Sequence, residues 1–286
     1  MLSCVSALSA DSSLMRFNVD HLPQQTLMEL FIADINDPSR VMSGREVNEN
    51  DACTWIDVEC DQGIVVKILW QFKFNRCSGR VDFRKLPRKL RFLSIFHNQL
   101  EGTIALDALP HGLIVLQLGE NNFNGSLHLR DLPDDIEQAS FFENKLSGSL
   151  DFTHLPTTLK DLQLYQNTFT GSVDISCLPD GLQFLHIQGN QLTGRLDLTR
   201  LPQHMLHLDA SSNHFSGRVE LENLPITMQR LALNDNYFYG EFDLRGLPLD
   251  MTGTINLERN TLEGSVRFNK HLRVKILLEG NNLNVY

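Results

Sequence analysis

Short stretches in which apolar and polar residues alternate recur along most of this chain. Residues 162–164 read Leu-Gln-Leu, and the same alternation occurs at the equivalent place in each repeating unit. Alternation with a period of two predicts a β-strand with one buried face. A second alternation follows a glycine in each unit, as in residues 149–152, and predicts a second, shorter strand. Stacked units of this kind would form two parallel sheets.

Three columns of residues keep one period of 23 residues, as from Leu86 to Leu109. The first column is the leucine of a Leu-Pro pair, and the second is a glycine that stays in phase from Gly79 to Gly240. The third is an asparagine, which shifts by one residue only at its last position. The leucines are Leu86, Leu109, Leu132, Leu155, Leu178, Leu201, Leu224 and Leu247. The asparagines are Asn75, Asn98, Asn121, Asn144, Asn167, Asn190, Asn213, Asn236 and Asn260. Three columns in one phase predict a repeat solenoid.

One unit reads Leu-x-x-Leu-x-Ile-x-x-Asn-x-Leu-x-Gly from Leu90 to Gly102. This pattern resembles a leucine-rich repeat, and the resemblance covers residues 67–284. It implies a leucine-rich repeat solenoid of about nine repeats over residues 67–286, ending in a partial turn, with a parallel β-sheet on the concave face and a second short parallel sheet. A single unit cannot bury its apolar edge alone, so neighbouring turns must stack. Because only two residues separate Pro110 from Leu113, we expect extended or tightly turned connections and little helix apart from the N-terminal cap.

Residues 21–66 precede the repeats and are expected to form that cap. Residues 24–34 carry apolar residues at helical spacing, which predicts one short amphipathic helix. The segment from Cys53 to Cys60 reads Cys-x-Trp-x-x-Val-x-Cys and resembles the N-terminal cap of plant-type, receptor-like leucine-rich repeat proteins. That resemblance implies a disulfide between the two cysteines; the alternative is a pair of reduced, buried thiols. Residues 1–20 are expected to be flexible, and they lack the basic start and long apolar run of a signal peptide.

The asparagine column has a structural interpretation. Each asparagine follows a strand, where the chain bends and buried backbone groups need partners. A side-chain amide offers donors and an acceptor to adjacent turns. We therefore expect these asparagines to form a buried ladder of hydrogen bonds, and the glycines to mark either positive φ or close backbone packing.

Composition narrows the choice of partners. The chain has 25 Lys and Arg against 35 Asp and Glu, and its net charge of −10 disfavours sequence-independent binding to nucleic acid or to an anionic membrane. Its apolar runs are too short for a membrane-spanning helix, so direct membrane insertion is not expected. The sequence contains no phosphate-binding loop, His-Glu-x-x-His motif or Gly-x-Ser-x-Gly elbow. We therefore expect no enzyme activity, no metal and no cofactor.

Strand positions that point away from the core form a candidate binding face on the concave sheet. Aromatic residues are concentrated there in the first five of these turns, where core packing does not explain them. Aromatic anchors among polar groups are typical of protein-binding hot spots. The alternative is β-propensity with cross-strand aromatic contacts. The candidate ligand-binding residues are Phe92, Phe96, His97, Glu120, Phe142, Glu143, Tyr165, Phe184, His186, His207 and Asp209.

Carboxylates occupy the middle outward position of the second alternation in five successive turns. They are Asp151, Asp174, Asp197, Glu220 and Asp243. Neighbouring turns would bring adjacent carboxylates to about 4.8 Å, close enough to repel or to share a cation. A solvated face balanced by Arg195 and Arg218 is the favoured interpretation. Calcium binding is the weaker hypothesis.

Two functions remain open on this evidence. The first is a non-enzymatic recognition module that binds a protein or peptide ligand through the concave sheet, at the cell surface or outside the cell. The second is an intracellular scaffold or enzyme regulator on the same fold, in which Cys53 and Cys60 stay reduced. Fold alone does not separate them.

The C-terminal end of the repeats is predicted to present an unpaired strand edge and part of an apolar layer. Such an end can associate weakly with a second copy, be covered by a partner, or be shielded by Tyr286 and nearby charged residues. Those charged residues are Lys270, His271, Arg273 and Lys275.

Overall fold

The structure, a computed structural model, describes residues 21–42, 47–241, 244, 246–266 and 271–285. In these parts of the chain helix α1 spans Gln24–Phe31 and helix α2 spans Ser39–Met42. The strands are β1 Val58–Asp61, β2 Ile64–Leu69, β3 Ser78–Arg80, β4 Phe92–Ser94, β5 Gln99–Gly102, β6 Val115–Gln117, β7 Asn122–Ser126, β8 Gln138–Ser140, β9 Lys145–Gly148, β10 Asp161–Gln163, β11 Thr168–Gly171, β12 Phe184–His186, β13 Gln191–Gly194, β14 His207–Asp209, β15 His214–Gly217, β16 Arg230–Ala232, β17 Tyr237–Gly240, β18 Thr254–Asn256, β19 Thr261–Val266, β20 Lys275–Leu277 and β21 Asn282–Val285. The described chain is therefore a β-solenoid with little helix, which confirms the predicted fold class.

The strands form two sheets that alternate along the chain. Sheet A has 11 strands, β1 and the even-numbered strands from β2 to β20, and sheet B has 10, the odd-numbered strands from β3 to β21. Strands β1 and β2 pair antiparallel, whereas the repeating strands pair in parallel with constant register, so that Leu162 lies opposite Leu185. Register is kept because a slip of one residue would turn every core side chain of a strand towards solvent.

Sheet B lies earlier in each unit than the sequence predicts. Strand β9 ends at Gly148, while residues 149–152 alternate between exposed and buried without forming a strand. The glycine explains the difference, because Gly148 has a φ of 87°, a left-handed conformation that turns the chain out of the strand. Beyond the glycines the chain tightens into short 3-10 turns, such as Leu106–Ala108. These turns are the tight connections that the spacing predicts.

The core is a continuous apolar column through the solenoid. In one turn Leu90, Leu93, Ile95 and Leu100 are all fully buried. Fully burying a leucine-sized side chain contributes roughly 1.5–3 kcal/mol. Because neighbouring turns provide most of that burial, the turns stabilise one another and a single turn has no core of its own.

The N-terminal cap closes the first turn with stacked aromatic rings. Helix α1 buries Phe31, whose ring lies 6.0 Å from that of Trp70 between centroids. Trp55 stacks on the same indole at 6.4 Å. The helix is amphipathic as predicted but ends at Phe31, before the predicted end at residue 34. After it the chain bends so that the backbone of Asp34 packs on Gly79, where a Cβ atom would lie 2.6 Å from the Asp34 carbonyl oxygen.

A disulfide and a hairpin complete the cap. Cys53 and Cys60 are joined by a disulfide, which confirms the pairing that the resemblance implied. Strand β1 pairs antiparallel with β2 and so occupies the N-terminal edge of sheet A. This hairpin was not predicted from the sequence. The hairpin covers the edge of β2, and the short strand β1 becomes the terminal strand of the sheet.

The far ends of both sheets are formed by β20 and β21. Lys270 and Tyr286 lie outside the described residues, as does the segment 1–20 that was expected to be flexible, and weak self-association through the C-terminal end stays a prediction. None of the described helices has the length and apolar character that crossing a bilayer requires.

Candidate functional site

The asparagine column holds the bend after each strand of sheet A. The Nδ2 of Asn167 donates to the carbonyl oxygens of Phe141 at 3.0 Å and Leu164 at 3.2 Å, while its Oδ1 accepts the N–H of Leu146 at 3.0 Å. Each amide therefore ties its own turn to the preceding one. The same contacts recur at Asn98, Asn121, Asn144, Asn190, Asn213, Asn236 and Asn260. All of these are buried except Asn144, which is half-buried. Asn75, which the period also placed in this column, does not join the ladder, because the first turn is longer and its Oδ1 has no hydrogen-bond partner among the described residues.

The residue before each ladder asparagine has a left-handed backbone. The φ angles of His97, Glu120 and Glu143 are 54°, 52° and 49°. This conformation costs an L-residue roughly 1–2 kcal/mol, and the ladder hydrogen bonds on either side hold it in place. Three predicted site residues therefore stand at fixed positions along the rim of sheet A.

Half-buried aromatic rings run along the solvent face of sheet A, called here the A face. Phe142 and Tyr165 stack at 4.6 Å with 5° between their planes. Tyr165 lies 6.4 Å from His186, His186 lies 6.3 Å from His207, and Phe184 meets His207 edge-on at 5.1 Å. We call these five residues the aromatic ladder. The cross-strand contacts of the alternative interpretation are thus present, and they hold the rings in place while leaving part of each ring open to solvent.

A second group of rings lies at the N-terminal end of the A face. Phe72, which is 53% exposed, contacts Phe96 at 5.5 Å and His97 at 4.4 Å between ring centroids. The Nδ1 of His97 is hydrogen-bonded to the carboxylate of Glu120. Sequence reasoning missed Phe72 because the first turn is longer: 25 residues separate it from His97, its counterpart in the next turn. The exposed aromatic character of Phe72 was the available signal.

Charged groups flank the rings at both ends of the A face. The ammonium group of Lys67 lies 5.4 Å from the ring centroid of Phe92, within the range of a cation–π contact. At the other end Asp209, only 9% exposed in its side chain, pairs with Arg230 at 3.2 Å. Asp209 also accepts the backbone N–H of Ser211 at 3.1 Å. These charges are satisfied within the protein.

A shallow pocket of about 190 Å³ opens between Phe96 and Phe142. It depends on Gly119, because a Cβ atom there would lie 2.6 Å from Cε1 of Phe142. Only a residue without a side chain lets the Phe142 ring occupy this position. The remaining lining residues are Gln117, Gln138, Ala139, Ser140, Asp161 and Gln163.

Asp161 is the charged residue of this pocket. Its Oδ2 accepts a hydrogen bond from Nε2 of Gln163 at 2.9 Å, whereas its Oδ1 is buried and has no partner. Burial raises the pKa of Asp161, against the opposing effects of the Gln163 bond and of nearby His207. The alternation of its strand puts Asp161 on the outward side, next to the buried Leu162, but Asp161 is not among the candidate ligand-binding residues chosen from the sequence. In the adjacent turns Asp161 lies opposite Gln138 and Phe184.

The acidic stripe has a structural role in three of its members. Asp151, Asp174 and Asp197 each accept, through Oδ1, the backbone N–H and the hydroxyl of the residue two positions on. Those hydroxyl residues are Thr153, Ser176 and Thr199. The hydroxyl bonds lower the pKa of all three carboxyls. The carboxylates therefore cap local turns as well as facing solvent.

The next member of the stripe, Glu220, pairs with Arg195 at 2.6 Å, as the favoured interpretation requires. Asp243 lies outside the described residues. Within the described ranges no group of three or more His, Cys, Asp or Glu side chains is arranged to hold a metal ion.

Comparison with known proteins shows similarity at the level of fold. No protein-family model and no curated protein matches the sequence. The leucine-rich repeat ectodomain of the Arabidopsis receptor kinase HAESA, solved with the peptide hormone IDA and the co-receptor SERK1, matches with a TM-score of 0.65 and 24% identity, over 91% of this chain and 50% of that one. The leucine-rich repeat ectodomain of the Arabidopsis receptor kinase GASSHO1/SCHENGEN3, in complex with CASPARIAN STRIP INTEGRITY FACTOR 2, matches with a TM-score of 0.67 and 19% identity, over 91% of this chain and 36% of that one. A plant ice-binding protein matches with a TM-score of 0.60 and 18% identity, over 89% of this chain and 94% of that one.

These matches, together with the repeat pattern and the two parallel sheets, show that the chain has the leucine-rich repeat solenoid fold. It spans half or less of the receptor ectodomains. Because the sequence identity to each of these structures is below 25%, the similarity shows the fold alone, and the ligand must be inferred from the site itself.

Proposed function

We propose that this protein is a non-enzymatic recognition module that binds a protein or peptide ligand through the A face, at the cell surface or outside the cell. The observation that carries the proposal is the aromatic ladder, whose rings stay accessible although they belong to no core. Tyrosine and other aromatic side chains provide large contact areas at low entropic cost. The HAESA ectodomain, which shares the fold, was solved with a peptide hormone, and this supports a peptide-sized ligand.

The disulfide supports the proposed compartment. A bond between Cys53 and Cys60 persists in oxidising surroundings and is rare in the cytosol. The alternative of an intracellular scaffold requires both thiols to be reduced. Mass spectrometry of the native protein, alkylated without reduction, distinguishes the two: linked cysteines support export, and two alkylated thiols contradict it.

A selection from a random displayed peptide library tests the binding face without assuming a ligand. For the selected peptides, Phe142→Ala and Tyr165→Ala should each weaken binding by more than about 2 kcal/mol, close to 30-fold in Kd. Tyr239→Ala is the matched control, because Tyr239 is 53% exposed on sheet B. Peptides that lose affinity for the Tyr239 variant and keep it for the Tyr165 variant would place the binding face elsewhere.

A further inference from the structure

We propose that the pocket between Phe96 and Phe142 is a subsite for one arginine side chain of the ligand, with the guanidinium group paired to Asp161. This inference rests on the proposed function and specifies the chemistry of its ligand. A hydrogen-bonding floor, a charged group without a counter-ion and aromatic walls meet in this pocket.

The charge distribution favours a cation. From residue 92 to residue 189 the outward positions of sheet A and its rim carry the carboxylates of Glu120, Glu143 and Asp161 and neither lysine nor arginine. Glu120 is paired to His97. Among the described residues Asp161 forms no ion pair with lysine or arginine; the neighbouring Lys160 pairs with Glu137 at 2.7 Å, and His207 is the basic group that acts on Asp161. A positive ligand group at this place would therefore meet uncompensated negative charge.

The hydrogen-bonding capacity of the pocket matches a guanidinium group. Asp161 uses one oxygen for Gln163, and its other oxygen is buried without a partner, so a guanidinium group pairs with it only when neighbouring side chains shift. A guanidinium group is planar, carries five N–H donors and matches the two oxygens of a carboxylate. The side chains of Gln117, Gln138 and Ser140 line the same floor and offer further oxygen acceptors. Burial also raises the pKa of Asp161, and a nearby cation would reverse that effect by stabilising the ionised form.

The walls suit a flat cation as well. Phe142 is held by stacking on Tyr165 and lies over Gly119, so its ring is fixed before any ligand arrives. Phe96 forms the opposite wall. Arginine stacks on aromatic faces in this way, and it is more weakly hydrated than a lysine ammonium group.

The volume of the pocket suits a single side chain better than a whole drug-sized molecule. Sites that enclose drug-sized ligands have volumes of roughly 300–1,000 Å³, and this pocket measures about 190 Å³. The aromatic ladder begins at its edge with Phe142, so neighbouring residues of a bound peptide would lie along the ladder while one side chain fills the pocket.

The experiment uses the full chain and two probes, N-acetyl-L-arginine methylamide and its citrulline counterpart, which has nearly the same shape without the charge. Ligand-observed NMR titration should show saturable binding of the arginine probe with a Kd at least tenfold below that of the citrulline probe. Asp161→Asn should weaken arginine binding at least tenfold, about 1.4 kcal/mol. Asp135→Asn, at an exposed carboxylate outside the pocket, should leave it unchanged, and thermal melts of both variants establish that they are folded.

A second variant reaches the pocket without touching the carboxylate. Gly119→Val places side-chain atoms where the Phe142 ring lies and should also weaken arginine binding at least tenfold. Equal binding of the two probes, no saturable binding of either, tighter binding of the corresponding lysine probe, or an unchanged Kd in Asp161→Asn would each overturn the subsite.

The peptide selection separates this inference from the proposed function. Selected peptides that depend on Tyr165, lack arginine and bind equally well to Asp161→Asn would overturn the subsite and leave the A face as the binding face. Selected peptides that ignore the A face would overturn the proposed function, while the arginine probe still measures the pocket directly.

Discussion

Replacing Asn167 with alanine removes one amide from the asparagine ladder and leaves the apolar core in place. Asn167 is 8% exposed. Its amide bonds the N–H of Leu146 and the carbonyl groups of Phe141 and Leu164. The substitution therefore withdraws a partner from buried backbone groups in two successive turns, and we expect it to lower the free energy of unfolding.

The size of the expected loss in the free energy of unfolding depends on which of these backbone groups keep another hydrogen-bond partner. The Phe141 oxygen also accepts Nδ2 of Asn144 at 3.1 Å, and the Leu164 oxygen also accepts Nδ2 of Asn190 at 3.1 Å. The N–H of Leu146 donates to Oδ1 of Asn167 at 3.0 Å and loses this acceptor in the variant. One orphaned buried donor costs about 1–3 kcal/mol, and weakening the two carbonyls adds a smaller amount. We expect a total loss of about 2–4 kcal/mol.

Urea unfolding followed by circular dichroism measures this loss, and amide hydrogen exchange localises it. Leu146 should exchange faster in Asn167→Ala than in the wild type, because its N–H no longer has a partner. Asn124→Ala is the matched control: Asn124 is an exposed asparagine on sheet B. Its removal should change stability by less than about 0.5 kcal/mol.

Two results would refute this reasoning. Equal unfolding midpoints for Asn167→Ala and Asn124→Ala would show that the ladder contributes nothing to stability. A large loss of stability with unchanged exchange at Leu146 would show that the cost arises somewhere other than the orphaned donor.

Three further predictions concern the cap, the A face and the backbone. Replacing Cys53 and Cys60 with serine should cost up to about 2.5 kcal/mol, the chain-entropy value for a loop of this length; an unchanged melting temperature would contradict it. Burial lowers the pKa of His186, so the unfolded chain takes up this proton first, and part of the stability should be lost as pH falls below about 6.5. His186→Gln should reduce that slope in unfolding midpoints measured against pH. Gln166, at a φ of 51°, should accept glycine with a stability change within about 1 kcal/mol in either direction, because relief of the left-handed backbone offsets the added freedom of the unfolded chain; a larger loss by urea unfolding would argue against strain at this position.

The period of 23 residues is sufficient by itself to determine the architecture. It predicts that Leu162 and Leu185 are neighbours, because residues one period apart occupy the same place in successive turns. The alternation then predicts which side chains enter the core, and the asparagine column predicts where buried backbone groups need partners. Repetition makes these inferences secure, because a local pattern becomes a long-range contact as soon as the turns stack.

Tertiary structure determines the features that do not follow the period of 23 residues. Phe72 joins the A face because the first turn is longer, and a column drawn at constant spacing does not include it. The strands of sheet B stop near the glycines because a left-handed residue such as Gly148 turns the chain out of the strand. Three carboxylates of the acidic stripe cap turns because a hydroxyl lies two residues on, a local relation that becomes visible only once the strand is known to have ended.

The pocket of the A face was also decided by tertiary structure. Its space exists because Gly119 lacks a side chain where Phe142 of the next turn needs room. Asp161 is half-buried, and its register neighbours on either side are Gln138 and Phe184. The sequence placed each of these residues on the outward face, but the space available to each depends on side chains from other turns that meet at the same point. Periodicity determines which residues are adjacent, and packing between them determines which remain open to a ligand.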